Sequence, residues 1–465
     1  MSSPFFKVFT RKTYCKALIA SILIISLILI PIIISNTQDL QYISIRRSPP
    51  SSQTNLNHMA FGIVSSLRTW PNRKGYVKSW WRPNQTRGHI FLDQPPTPDL
   101  LPWPTTVPPY RTSDDLSGLT QRTKPKFEDV WRLVHTILEL FREEDEDNLR
   151  WIVMGDDDSV FFVENIVDLL REYDHRKYYY FGGNSESVIS NYWYSFQQAF
   201  GGGGFVLSYG LAKALAKDME GCLVRHAQDI GADLMTMRCI ADIGVNLTPH
   251  KGFHQMDLRG DSSGYLSAHP NIPVMTLHHI DAVNPIFPSM DRAESIRKLM
   301  KAANADQSRV LQQTICYDRQ ANWSFSVSWG YAVHIYERIM PRSHLQKPIE
   351  TFTPWERDPK IPFYMFNTRP LSKDPCEAPH IFFLESVRSS SDKISINYLR
   401  AQKRDLPTCS YSGNHSADTV LNIHVFSSTK KRLQIDRSEC CDVTRVDDAK
   451  MEVQLRECGV DEIIA

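Results

Sequence analysis

Three consecutive carboxylates, Asp156, Asp157 and Asp158, interrupt the segment RWIVMGDDDSVFF (residues 150–162), and a histidine pair, His278-His279, sits within IPVMTLHHIDAVNP further along. Adjacent carboxylates raise the cost of ionising one another, so a triplet needs a cation or several donors to relieve it. Hard carboxylate oxygens suit Mg2+ or Mn2+, and an imidazole ligand tilts the choice toward Mn2+. Asp158 with either His278 or His279 would make such a site if two strand ends brought them together. Each group alone has a plainer reading: a solvated turn for the acids, a satisfied structural pair for the histidines. The elements that carry them decide.

RWIVMG is continuously apolar, as a strand buried on both faces should be, and VFFVENIVDLLREY behind the acids is an amphipathic helix. HMAFGIV and GHIFLD predict further strands and RKGYVKSWW a helix. Residues 127–142 predict another helix, with Val130, Val134, Ile137, Leu138 and Phe141 on one face. Strands alternating with helices argue for an α/β sheet. The acids then fall at the C-terminal end of a central parallel strand, where open α/β sheets place their ligands. The proline-rich QPPTPDLLPWPTTVPPY can be neither helix nor central strand and must be loop.

KYYYFGGNS supplies another strand, and GGGGFVLSYGLAKALAKDM a glycine turn entering strand and helix. Gly201 to Gly204 lack the Lys-Ser/Thr of a Walker loop and the third glycine of a dinucleotide fingerprint. They predict close backbone approach to a bulky ligand that a Cβ would block. From about Arg292 the alternation fades into a helix, the alternating NWSFSVSWGYAVHIYE and further short strands. This reads as a mainly β C-terminal module.

The 465-residue chain carries a net charge of +1, which offers no basic face for nucleic acid. Its N-terminus differs: Ala17 to Ser35 is charge-free and apolar, about long enough to cross a bilayer core of roughly 30 Å. Lys7, Arg11, Lys12 and Lys16 precede it, so the positive-inside rule keeps the first residues cytosolic and sends the rest across the membrane. Expected boundaries are 1–16 cytosolic tail, 17–35 transmembrane anchor, 36–58 stem, 59–290 α/β domain and 291–465 β-rich extension. Cys15 lies before the anchor and eight cysteines beyond it, an even number suited to an oxidising compartment. Cys222 with Cys239 is the favoured pair. Sequons at Asn84, Asn246, Asn322 and Asn414 would share that side.

In this order, strand-GDDD-helix, a YFGG strand, GGGGFVLS entering a helix and LHH resemble the Fringe-type β1,3-glycosyltransferases, most closely the plant Fringe-related proteins. VSSLRTWPNRKGYVKSWWRP, AFGGGGFVLSYGLAKALAK, GFHQMDLRGD and LHHIDAVNPIFP carry the likeness nearly segment by segment. The resemblance implies a GT-A-like, Rossmann-like mixed sheet, Golgi residence with type II topology, and inverting transfer from a UDP-sugar to a glycan or glycoprotein acceptor. It implies Asp158 as direct metal ligand, Asp156 and Asp157 as donor-binding acids with Asp157 turned toward sugar or ribose, and the imidazole ligand on the LHH pair with His279 preferred. It also implies Asp93 on the nucleotide, and Gly202, Gly203 and Gly204 bordering the pocket. Nucleotide-sugar transfer needs Mn2+ or Mg2+ on the diphosphate, because the leaving group departs with negative charge.

One position departs from that pattern. Related proteins carry an acidic pair where this chain has IGADLMTMRC, with Asp233 followed by Leu234. An inverting enzyme needs a general base near the acceptor hydroxyl; Asp233 is the candidate, with Asp229 and Asp242 as nearby alternatives. Were the missing acid the base, the chain would be a catalytically weak or inactive luminal carbohydrate-binding relative.

Overall fold

Met59–Val64 (β1) is buried along its whole length, with Met59, Phe61 and Ile63 facing one apolar cluster and Ala60 and Val64 another. That alternation is the period-2 geometry of a strand covered on both faces. The computed structural model describes residues 53–144, 148–410, 416–432, 435 and 437–464. The expected cytosolic tail, anchor at 17–35 and most of the stem lie outside them. Among the described residues no helix is long and apolar enough to cross a membrane.

Around β1 a seven-stranded sheet forms from Arg87–Leu92 (β2), Tyr110–Thr112 (β3), Trp151–Asp156 (β4), Tyr180–Gly182 (β6), Phe205–Ser208 (β7) and Leu247–Pro249 (β8), in the order β3-β2-β1-β4-β7-β6-β8. β4 runs parallel to β1 but antiparallel to β7, so the sheet is mixed, as the resemblance implies, and the parallel setting expected of the acid-bearing strand holds on one side only. One face carries Glu128–Glu144 (α2), Tyr209–Arg225 (α4) and Ala232–Asp242 (α5). Trp70–Trp80 (α1) and Val163–Leu170 (α3) bury side chains in the cluster on the other.

A separate ribbon joins Val160–Phe161 (β5), Phe253–His254 (β9) and Thr276–Leu277 (β11). The expected strand before the histidines is thus only two residues long. Its register matters most: Leu277 pairs with Val160 and Thr276 with Phe161, antiparallel. Continuing that register past Leu277 and before Val160 carries the LHH pair onto the acids.

The chain then enters Arg292–Ala305 (α6) and a second sheet of eight strands. These are Gln313–Asp318 (β12), Trp323–Ser328 (β13), Ala332–Tyr336 (β14), His380–Ser389 (β16), Lys393–Arg400 (β17), Asn422–Ser428 (β18), Cys440–Arg445 (β19) and Lys450–Arg456 (β20), in the order β12-β13-β14-β16-β17-β18-β20-β19. Leu258–Gly260 (β10) pairs with Phe352–Pro354 (β15), stitching the first half to the second. α6 packs on α1 and β16, and a Cβ added at Gly75 of α1 would lie 2.9 Å from that of Ala293. One apolar cluster runs from Met59 to Leu455, and Thr54–Ala465 is one compact unit. The expected division near residue 290 falls inside this shared core.

All eight downstream cysteines pair: Cys222–Cys239, as favoured, with Cys316–Cys441, Cys376–Cys409 and Cys440–Cys458. Asn84, Asn246 and Asn322 are exposed; Asn414 lies outside the described residues.

Candidate functional site

Three strand ends build the site. β4 delivers Asp156 at the edge where β1 and β2 also finish, and the tight turn Asp157-Asp158-Ser159 reverses the chain into β5. β11 then sets His278 against that turn. Its Nε2 lies 3.2 Å from Asp158 Oδ1 and 3.7 Å from Asp156 Oδ2, so the three side chains could hold one ion. Asp158 and His278 are buried, whereas Asp156 keeps an open side to a cavity of about 260 Å³.

Of the two histidines it is His278, not the preferred His279, that meets the acids. His279 adopts left-handed backbone geometry, φ 54°, which turns its ring to Asp257 at 2.8 Å and stacks it on Trp355 at 4.4 Å. Asp157 does not face the cavity: it is 1% exposed and accepts from Ser65 at 2.6 Å, Thr69 at 2.7 Å and Arg73 at 2.9 Å. It therefore braces β1 and α1 against the turn. Asp93 stands at the same sheet edge, accepting the Leu67 N–H at 2.8 Å.

Arg73, which nothing in the sequence singles out, donates to Asp157, to Asp158 at 3.1 Å and to Asp281 at 2.6 Å. Tyr76, one turn on, donates to Asp281 at 2.6 Å. Their only signal is helical spacing toward one face; their partners lie far off in sequence.

The glycine turn packs closely against the protein's own side chains, and Gly201 and Gly202 also line the cavity shared with Asp156 and His278. A Cβ at Gly202 would fall 2.0 Å from His278 Cε1, and one at Gly201 2.4 Å from Asp233 Oδ1. Gly204 needs its freedom at φ +81°. Ser159 Oγ donates to the Gly202 carbonyl at 2.6 Å, and the Gly203 N–H donates to Gln255 at 2.6 Å, so the turn is pinned from both sides.

Asp233, in the first turn of α5, enters the same cavity as Asp156 and His278 and accepts the Gly201 N–H. Its two neighbours are engaged elsewhere: Asp229 with Arg238, and Asp242 with Arg225 at 2.8 Å and His226 at 3.0 Å. Leu234 is half-buried beside it.

Charge is unevenly distributed among these groups. Burial, then the contact with Asp158, acts on His278, and the carboxylates win, raising it to about 9. Burial opposes ionisation of Asp158, but His278 and Arg73 outweigh it and hold that acid well below the usual range. Enclosure, with Asp158 and Asp157 adding to it against His278, pushes Asp156 up to about 6. Asp233 rises to about 7, through burial first and the Asp156 charge second.

The residues fit a divalent cation. Asp158 Oδ2 and His278 Nδ1 are buried without a hydrogen-bond partner. A carboxylate oxygen so stranded is costly, and a cation would relieve it. Two carboxylates and an imidazole form a mixed oxygen-nitrogen set that suits Mn2+.

Residues 190–441 match the family described as "Protein of unknown function, DUF604", and as this is more than half of the chain, the chain belongs to that family. The matched segment holds the glycine turn, Asp233 and His278 but begins after the acidic triplet. Over 151 residues, 32% of this chain, it is 28% identical to the beta-1,3-glucosyltransferase of Homo sapiens, spanning about 29% of that protein's length. Two solved structures overlap loosely. Core-mannan synthase A from Aspergillus fumigatus in its Mn/GDP form has a TM-score of 0.28 and 8% identity, over 44% of this chain and 75% of the other. A mannosyltransferase from Pyrobaculum calidifontis in complex with GDP-Man and Mn2+ has a TM-score of 0.26 and 9% identity, over 62% and 73%. Overlaps this loose define no common architecture.

Proposed function

We propose that this DUF604 protein is a metal-dependent hexosyltransferase with a GT-A-like donor half, moving a sugar from a UDP-sugar to a glycan or glycoprotein hydroxyl with inversion, in a β1,3 linkage. The observation that carries this reading is the convergence of Asp156, Asp158 and His278 on one point, with Asp233 in the same cavity. The partial likeness to a β1,3-glucosyltransferase agrees with it.

In this reading Asp156, Asp158 and His278 hold Mn2+ or Mg2+, which when bound stabilises the charge of the departing diphosphate. Asp233 takes the proton of the attacking hydroxyl, and its raised pKa suits a base working near neutrality. The Gly201 N–H aims that carboxylate. His278 and then Arg73 keep Asp158 ionised before the cation arrives, and the Arg73 hydrogen bond seats it. Asp93, at the same sheet edge, is the nucleotide contact.

We place the protein in the Golgi as a type II membrane protein anchored by residues 17–35, its catalytic half luminal. Four disulfides in residues 222–458 favour an oxidising compartment.

The test is UDP release by the detergent-solubilised chain from a panel of UDP-sugars with Mn2+. Activity that disappears in Asp158→Asn supports the proposal. No turnover with any donor, together with donor binding unaffected by Asp233→Asn, would instead support a non-catalytic carbohydrate-binding relative, the reading Leu234 favours.

A further inference from the structure

Residues 188–200, VISNYWYSFQQAF, contain no charged residue and no histidine, yet they expose four large aromatics on the path to the glycine turn. Trp193 is 64% exposed and Tyr192 62%, with Phe196 and Tyr194 also on the surface. Contiguous exposed aromatics are uncommon on a soluble surface and mark a binding site. Tyr192 and Trp193 meet edge to face at 5.9 Å.

The segment is held rather than loose. Ser187 caps the short helix Val188–Trp193. Asn184 Nδ2 donates to the carbonyls of Phe196 and Gln198, both at 3.1 Å, and the Ala199 N–H donates to the Tyr180 hydroxyl at 2.9 Å.

Its position links it to the site. The Tyr194 ring rests against Gly231, where an added Cβ would come within 3.2 Å, and lies edge-on to Phe200 at 6.2 Å. Gly231 caps the helix that carries Asp233, and Phe200 precedes Gly201, whose N–H holds that carboxylate. The aromatic surface therefore begins where the base ends.

We infer that Tyr192, Trp193, Tyr194 and Phe196 form a platform for the acceptor, and that the acceptor is a neutral oligosaccharide. The inference rests on the transfer reading, which requires the acceptor hydroxyl to reach Asp233. A glycan extending from that hydroxyl past Gly231 crosses Tyr194 and then the outer aromatics. Flat rings take the C–H faces of pyranoses, and Ser195 and Gln197 offer hydroxyl and amide groups to sugar hydroxyls. With no charge between residues 188 and 200, an acidic or basic ligand has no counter-charge on this segment.

The experiment is calorimetric titration of the full-length chain in detergent with cellopentaose, laminaripentaose and a β1,4-galactopentaose. At least one should bind, and Tyr192→Ala combined with Trp193→Ala should weaken that binding about tenfold or more. Trp193→Phe should restore most of it. Tyr178→Ala, an exposed aromatic beside Gly210, should leave it within about twofold. If none of the three binds, or if binding survives the double substitution, the platform is wrong. Failure of the unaltered chain to bind UDP with Mn2+ would count against the transfer reading alone, because the sugar titration needs neither.

Discussion

The Arg73 guanidinium donates to Asp158 across 3.1 Å, so the acid whose other oxygen is buried without a donor already has a positive neighbour besides His278. A cation entering beside Asp156 and His278 joins this charge rather than filling an empty anionic hole. Arg73→Met should destabilise the metal-free protein by about 2 kcal/mol, less than a fully buried pair because Arg73 is partly exposed. The rise in melting temperature on adding Mn2+ should grow in that variant, since the ion then replaces the counter-charge that Asp158 has lost. An unchanged Mn2+ increment would refute this.

His278 and His279 should separate cleanly. Altering residues that merely orient metal ligands typically lowers affinity roughly 10–100-fold, so replacing a ligand should cost at least that. His278→Gln is expected to lose Mn2+ binding to this degree in a calorimetric titration, and His279→Gln to lose much less. The reverse order would return the ligand role to His279.

Transfer should depend on pH through Asp233. A base must be deprotonated to act, so kcat/KM should fall as pH drops through about 7, the value to which burial and Asp156 raise this acid. A cation bound at Asp156 cancels part of that repulsion and draws the limb lower. Asp233→Asn should remove the limb and lower the rate by roughly 10²–10⁴. A limb that persists in that variant belongs to another group.

Gly202→Ala should weaken Mn2+ binding although Gly202 touches no ion, because the new methyl group must displace the His278 ring. A loss of about tenfold is expected, with the thermal transition of the metal-free protein shifted less than by Arg73→Met. Full Mn2+ affinity would mean that the ring is free to move.

Acid should loosen the second sheet at His334, which is 4% exposed and whose pKa is lowered to about 3, chiefly by burial and then by the Arg369 charge. The folded form resists the proton that the unfolded chain accepts below its ordinary value near 6.5. Stability is therefore complete above that value and falls as pH drops toward 3, by up to about 1.4 kcal/mol per pH unit. Urea unfolding at pH 7.0 and 5.5 should show this slope flattened in His334→Gln. An equal slope in both proteins would exclude His334 as its source.

Continuous apolarity in RWIVMG makes the strand end that holds Asp156 legible from sequence, and the ordered motifs point to the LHH pair as its distant companion. The choice between His278 and His279 is not legible, because it turns on one left-handed residue. Arg73 and Asp281 escape for another reason: an ion pair across the sheet edge leaves no local pattern. Asp157 reads as a ligand-facing acid because its neighbours do, but Ser65 and Thr69 supply the donors that draw it inward. The β character of residues 313–456 follows from their alternation, whereas the eight-strand order, set by long-range pairing, does not.

The close seat of α6 on α1, with Gly75 against Ala293, bears on how such a chain could evolve. The helix that supplies Arg73 is backed by the first element of the second half, and β10 borrows its partner from that half too. Neither portion could be traded as an interchangeable cassette: a recombination joint near residue 290 would strip the buried wall behind Arg73.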